Sequence, residues 1–153
     1  MAKKSAHDLG GMASGAVMAA LLAGGQPSEH VALEVAGGAL GGWLGSRFPD
    51  LLDPPTTPDH RSAGHGALSA IAIGRSIGDW VKDIQHHLRV TADDLASVRA
   101  TLETDLQRFF NLILEWICRL LAGAAAGVPS GYASHLLLDM TTPRGLPLLV
   151  KGF

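Results

Sequence analysis

A histidine and an aspartate stand four residues apart in the run His135-Leu136-Leu137-Leu138-Asp139. On a helix that spacing puts both on one face, about 6 Å apart along the axis. One imidazole and one carboxylate so placed can share a metal ion or touch adjacent ones. A lone polar group is costly to bury in so apolar a run. Asp139 is therefore read as a fellow ligand of His135 or as its hydrogen-bond partner. Two more elements hold groups of the same kind. In His60-Arg61-Ser62-Ala63-Gly64-His65 two histidines flank a short turn that can fold both side chains inward. Pro49-Asp50-Leu51-Leu52-Asp53 offers two carboxylates, which could equally be turn or cap residues beside the prolines. His30 and Glu34 are also four apart, and Glu34 lies in an otherwise apolar segment, as a functional acid or on a solvated helix face. His86 and His87 read as surface residues.

Cys118 is the only cysteine, so an intrachain disulfide and a thiolate zinc finger are both excluded. A metal here must use His, Asp and Glu. That hard set suits one or two divalent ions: zinc, manganese or iron.

The elements that must carry these groups are helical. No stretch alternates as a strand would, so the class is all-α, a compact Gly/Ala-rich bundle of about five helices in one domain over 1–153. Residues 5–46 read as two helices rich in small residues, broken at Gln26-Pro27-Ser28, with Ser28 placed to cap the second. Residues 47–65 hold four of the eight prolines and read as a loop bearing the metal-site residues. A further helix follows Gly64. The region 79–122 has neither Gly nor Pro and reads as a long, charged, amphipathic helical region. Thr91 with Asp94 resembles a capping box for a helix there. Leu95, Val98, Leu102, Leu106, Phe109, Ile113, Trp116 and Leu120 recur at spacings of three and four as an apolar stripe. Pro129 suits the first turn of a last helix, 129–142, carrying His135 and Asp139. Gly37, Gly41 and Gly45 form one ladder at every fourth position and Gly123, Gly127 and Gly131 another, with Gly11 and Gly15 a shorter one. Such faces let helix backbones approach closely.

Charge is scarce and unevenly spread. Charged residues are 17% of the chain, against roughly 25% in ordinary soluble domains. The net charge is −2, which argues against a strongly basic nucleic-acid binder. Twelve of the 26 charged residues lie in 79–119. Leu9–Ser28 has none in 20 residues, long enough to cross a bilayer core of about 30 Å as a helix. Val35–Ser46 and Leu120–Leu138 are two further uncharged windows. The chain is thus expected to be embedded in a membrane or associated with one. Lys3 and Lys4 before the first window favour a cytoplasmic N-terminus.

In order along the chain, Ala6-His7 before Gly11, Pro49-Asp50, His60-Arg61-x-x-x-His65 and Gly131-Tyr132-x-Ser134-His135-x-x-x-Asp139-x-x-Thr142-x-x-Gly145 resemble the YdjM-like family. Its members are small bacterial inner-membrane proteins classed as metal-dependent hydrolases. The resemblance spans about residues 6–150 and implies metal ligands at His7, Asp50, His65, His135 and Asp139. His60 is implied as a ligand or as a group supporting one, and Arg61 as the cation facing an anionic substrate. The family reads Pro-Asp-x-Asp, whereas an extra residue separates Asp50 from Asp53 here. A more distant likeness to the all-helical zinc phospholipase C group suggests phosphoester chemistry, by analogy alone.

Two functions follow as expectations. One is a membrane-associated metal-dependent hydrolase acting on a phosphoester or other lipid-like substrate. In it a metal activates water, Asp53 or Asp8 takes the proton, and Arg61 stabilises developing negative charge. The other is a non-catalytic membrane or interaction protein. Its metal or His–Asp pair is structural, and the 79–119 region docks a protein partner.

Overall fold

The computed structural model describes residues 4–52 and 67–141. Over these residues the chain is an all-α bundle of four long helices and one short one. They are α1 (Lys4–Leu22), α2 (Ser28–Gly45), α3 (Phe48–Leu52), α4 (Ala67–Val98) and α5 (Asp105–Met140), with a 3-10 turn at Arg99–Thr101 before α5. His60, Arg61, His65 and Asp53 lie outside the described residues.

The glycine ladders set the architecture. A Cβ on Gly37, Gly41 or Gly45 would run into the backbone of Leu120, Ala124 or Val128 respectively. From the other side, Gly123, Gly127 and Gly131 meet the backbones of Glu34, Gly38 and Gly42. Residue numbers rise together across this seam, so α2 and α5 run parallel, backbone against backbone. Gly11 and Gly15 meet Gly42 and Gly38, so α1 lies antiparallel to α2. The Ser14 hydroxyl donates to the Ser130 carbonyl (3.2 Å), tying α1 to α5 as well. α4 folds back antiparallel along the first half of α5, where the Gln85 amide donates to the Ala122 carbonyl (3.0 Å).

Several expected boundaries move, each for a local reason. The chain turns after α1 at Gly25, whose φ of 89° suits glycine. That turn divides the uncharged window Leu9–Ser28, so it is not a single helix. Pro27, not Ser28, is the cap position of α2, and no side chain caps it. Ser28 sits inside the helix with its hydroxyl turned to Glu29. The region 79–122 is two helices. Its break lies at Thr104, which accepts from the Gln107 N–H (3.2 Å) while the Gln107 side chain accepts from the Thr104 N–H (3.1 Å). This is a complete capping box. Thr91-x-x-Asp94 lacks the Glu or Gln that closes such a box. Thr91 instead lies within α4 and bonds back to the His87 carbonyl (2.8 Å). Residues 129–140 do not form a separate helix, because α5 continues through Pro129. The glycine seam holds α5 to α2 both before and after the proline.

The side-chain distribution is inverted. Core positions of α5 are taken by Asn111, Glu115, Arg119 and a row of Gly and Ala. Leu9, Val17, Leu21, Leu40, Leu114 and Leu121 point outward. The expected apolar stripe is also outward-facing in α5, where Leu106, Phe109 and Trp116 are exposed. The break at 99–104 separates it from Leu95 and Val98. α5 alone among the described helices is long and apolar enough to cross a membrane, with 36 residues and a mean hydropathy of 1.5 in its most apolar window.

The seam is testable. Gly127→Val should separate α2 from α5 and destabilise the bundle by about 1–3 kcal/mol, the usual cost of overpacking. Leu121→Val, on the outer face, should change stability by less than about 0.5 kcal/mol. Thermal unfolding of both variants in one detergent checks the contrast. Equal losses would mean that the seam does not hold the bundle together.

Candidate metal centre

Three helices converge where α2 ends. α1 contributes His7 in its first turn, α3 contributes Asp50, and the last turns of α5 contribute His135 and Asp139. His7, His135 and Asp139 are all buried, and one ligand atom from each lies within 4.8 Å of the others. The two imidazoles stack, with centroids 3.9 Å apart and planes 18° from parallel. His7 Nε2 is 3.5 Å from Asp139 Oδ1. His135 Nε2 is 3.8 Å from Asp139 Oδ2 and 3.7 Å from Asp50 Oδ1. Four of the six sequence-predicted ligands are thus brought together from three separate elements.

The geometry suits a cation. These separations are long for hydrogen bonds. Atoms bound to one tetrahedral metal at about 2.1 Å stand about 3.4 Å from each other, close to what is observed. The Ser46 carbonyl accepts from His135 Nδ1. That bond puts the proton on Nδ1 and leaves the Nε2 lone pair aimed at the two carboxylates, as a backbone carbonyl does behind a metal-binding histidine. His7 Nδ1 is buried without a hydrogen-bond partner among the described residues. The group His7, His135 and Asp139 could therefore hold a metal ion.

The centre stands at the wall of a cavity of about 590 Å³. His7, Asp50 and Ser46 line it, with Asp8, Arg47 and Lys4 as its other polar residues and Leu44, Phe48 and Leu51 as apolar ones. Arg47 went unnoticed in the sequence. Its guanidinium grips Asp8 with two bonds, Nε to Oδ1 (2.9 Å) and Nη2 to Oδ2 (3.0 Å), and lies 3.9 Å above the Trp43 ring. This pairing holds the Asp8 carboxyl below the usual aspartate range. Asp8 is thereby a weakened base, which counts against the role of proton acceptor expected for it. Only the Asp8-to-Arg47 separation of 39 residues could have hinted at the pair, and periodicity carries no information at that range.

His30 and Glu34 do not join this centre. Glu34 is fully buried but pairs with Arg89 (2.5 Å) and Gln26 (2.9 Å), while His30 Nε2 faces Glu115 Oε1 at 3.3 Å. Their shared helix face leads to a different polar cluster, at the opposite end of the bundle. His86 and His87 are exposed, as expected.

No family model, no curated protein and no solved structure matches the chain.

Protein purified without chelator should carry about one equivalent of a transition metal by elemental mass spectrometry. His135→Ala and Asp139→Ala should each remove it. Retention of metal in both variants would place the ion elsewhere.

Proposed function

We propose that this chain is a membrane-embedded, metal-dependent hydrolase of the kind its resemblance to the YdjM-like family implies, acting on an anionic, lipid-like phosphoester. The observation that carries the reading is a buried His–His–Asp group that reaches a cavity wall through His7, with Asp50 beside it on the same wall, instead of being sealed within the bundle. A structural metal site is closed, whereas a catalytic one keeps a position for water or substrate. The metal is inferred to be zinc, with manganese or iron as its competitors.

When bound, the metal would lower the pKa of a water molecule and polarise the scissile bond. His7, His135 and Asp139 would hold it, and the Ser46 carbonyl fixes the tautomer in which His135 offers Nε2. Asp50, partly exposed on the cavity wall, takes the proton that the attacking water gives up. Arg47 stands ready for an anionic group. Its plane is fixed by Asp8 and Trp43, so little rotamer freedom is lost on binding, and a guanidinium matches phosphate oxygens in pairs. Leu44, Phe48 and Leu51 give the same cavity an apolar wall that suits acyl or prenyl carbon. Arg61 keeps the role that the resemblance implies, as a second cation facing the substrate, and Asp53 is a second carboxylate able to take that proton.

The inverted side-chain distribution supports the membrane setting. Water-soluble monomers rarely expose a large contiguous apolar surface, and here the large apolar residues of α1, α2 and α5 face outward. The charge-free part of α5 between Arg119 and His135 rises about 24 Å, comparable with the hydrocarbon core. The resemblance implies the bacterial inner membrane, and Lys3 and Lys4 before the first uncharged window favour a cytoplasmic N-terminus.

Activity should be assayed in detergent or nanodiscs against a chromogenic phosphodiester and a short-chain phospholipid. Asp139→Asn should reduce kcat/KM by more than about a hundredfold, beyond the loss expected for an outer-shell partner. Arg47→Ala should raise KM about tenfold with a smaller effect on kcat, as loss of uniform binding does. Metal-loaded protein inactive on every phosphoester tried would favour the non-catalytic alternative, in which the region 79–119 docks a partner.

A further inference from the structure

A second buried polar cluster lies at the far end of the bundle, where α1 turns into α2. Arg119 and Asp139 are twenty residues apart on α5, about 30 Å along the helix, so this cluster is separate from the metal centre. We propose that the cavity beside it, about 390 Å³ in volume, is a binding site for a phosphate group.

The cavity is lined by Arg89, Arg119 and His30 as its basic groups and by Asp93 as its only acid, together with Gln26 and the turn Gly24–Gly25. Arg119 is 1% exposed, a nearly complete burial of a guanidinium. Its five N–H groups meet two acceptors, Gln26 Oε1 (2.9 Å) and Asp93 Oδ1 (2.5 Å). Its Nε is buried with no partner among the described residues. A buried guanidinium lacking acceptors is costly, and an oxyanion supplies several at once.

Charge points the same way. Behind the cavity wall, Glu34 takes Arg89, while Glu115 takes Arg99 and faces His30. Asn111 also accepts from Arg99. The two buried glutamates therefore offset two of the three arginines. The third, Arg119, is offset by Asp93 alone, and that side chain is 68% exposed. An exposed carboxylate on a buried arginine is a displaceable counter-ion, because water can solvate the aspartate once it swings away. α2 adds to the effect. It is an 18-residue helix whose first turn opens beside the cavity at Pro27 and His30, with no side chain capping it. The positive end of its dipole favours an anion there.

The phosphate group is what the site recognises, and it can come from a free ion or from a lipid headgroup. The test uses the full-length protein in neutral detergent and phosphate-free buffer, with EDTA present to keep the metal centre from binding anions. The midpoint of thermal unfolding is followed while inorganic phosphate, or a short-chain phosphatidic acid below its micellar concentration, is added at constant ionic strength. Chloride at the same ionic strength is the control. A saturable upward shift with either probe is expected. In Asp93→Asn the competing carboxylate is gone and Asp93 is exposed, so the fold should persist while the half-saturating concentration falls about tenfold. Arg119→Gln should abolish the response; if that variant does not fold, the Asp93→Asn comparison decides. A shift with both probes assigns the site to the phosphate group itself, and a shift with the lipid alone assigns it to a headgroup. The proposal is overturned if neither probe gives a shift beyond the chloride control, or if Asp93→Asn responds at the same concentration as the wild type.

Discussion

The backbone-to-backbone seam between α2 and α5 is the constraint from which the rest of the structure follows. Glycines at every fourth position on both helices bring the two main chains together with no side chain between them. Interior glycine costs about 1 kcal/mol relative to alanine in a helix, and here six of them line one interface. The return is dispersion contact along the seam, with room for α1 on the neighbouring glycines Gly38 and Gly42. A core built this way leaves little room for large apolar side chains, Leu136 and Tyr132 being the ones that α5 buries. Most of the large apolar residues are displaced outward, and buried polar groups gather at the two ends of the seam. The metal-type cluster and the arginine cluster occupy those ends.

Parallel packing of α2 and α5 also gives the bundle an electrostatic direction. The C-termini of both helices lie at the His–Asp centre, and their negative dipole ends favour a cation there. α1 enters with its N-terminus and offsets part of that field. At the other end, the N-terminus of α2 opens beside Arg119, where an anion is favoured. Helix direction and side-chain chemistry therefore agree at each end. This agreement between levels is what distinguishes a site that the fold supports from a chance meeting of polar groups.

Much of this was legible in the sequence, though unevenly. The glycine ladders could be read because a period of four is visible without knowing the partner helix. His135 and Asp139 could be read because both sit on one helix in an apolar run. His7 was reached only through a resemblance, and Asp50 stood as one of two carboxylates that could equally be turn residues, since the approach of both to His135 depends on long-range packing. The capping box at Thr104 is present in the sequence as Thr104-x-x-Gln107 but was missed, because the apolar stripe runs across the true break. The stripe misled for a physical reason: periodicity identifies a face but not the solvent it meets. In a chain with a core of glycine and alanine, the apolar face of α5 points away from its neighbours.

The same reasoning explains why Glu34 reads ambiguously in sequence and clearly in structure. An acid in an apolar helix is expensive unless it is paired. Its partner, Arg89, comes from α4, 55 residues away. Arg89 also donates to the Leu22 carbonyl at the end of α1, so one side chain joins α1, α2 and α4. A fully buried glutamate bonded through both oxygens is a fixed point. It holds α4 in register against the seam and keeps the Arg89 plane at the cavity wall. Arg47 is arranged in the same manner at the opposite end, where Asp8 holds it. Each cavity is therefore bordered by a guanidinium that a carboxylate from a different helix has already oriented. Preorganisation of that kind lowers the entropy lost when an anion binds, and it depends on the close helix approach that the glycines permit.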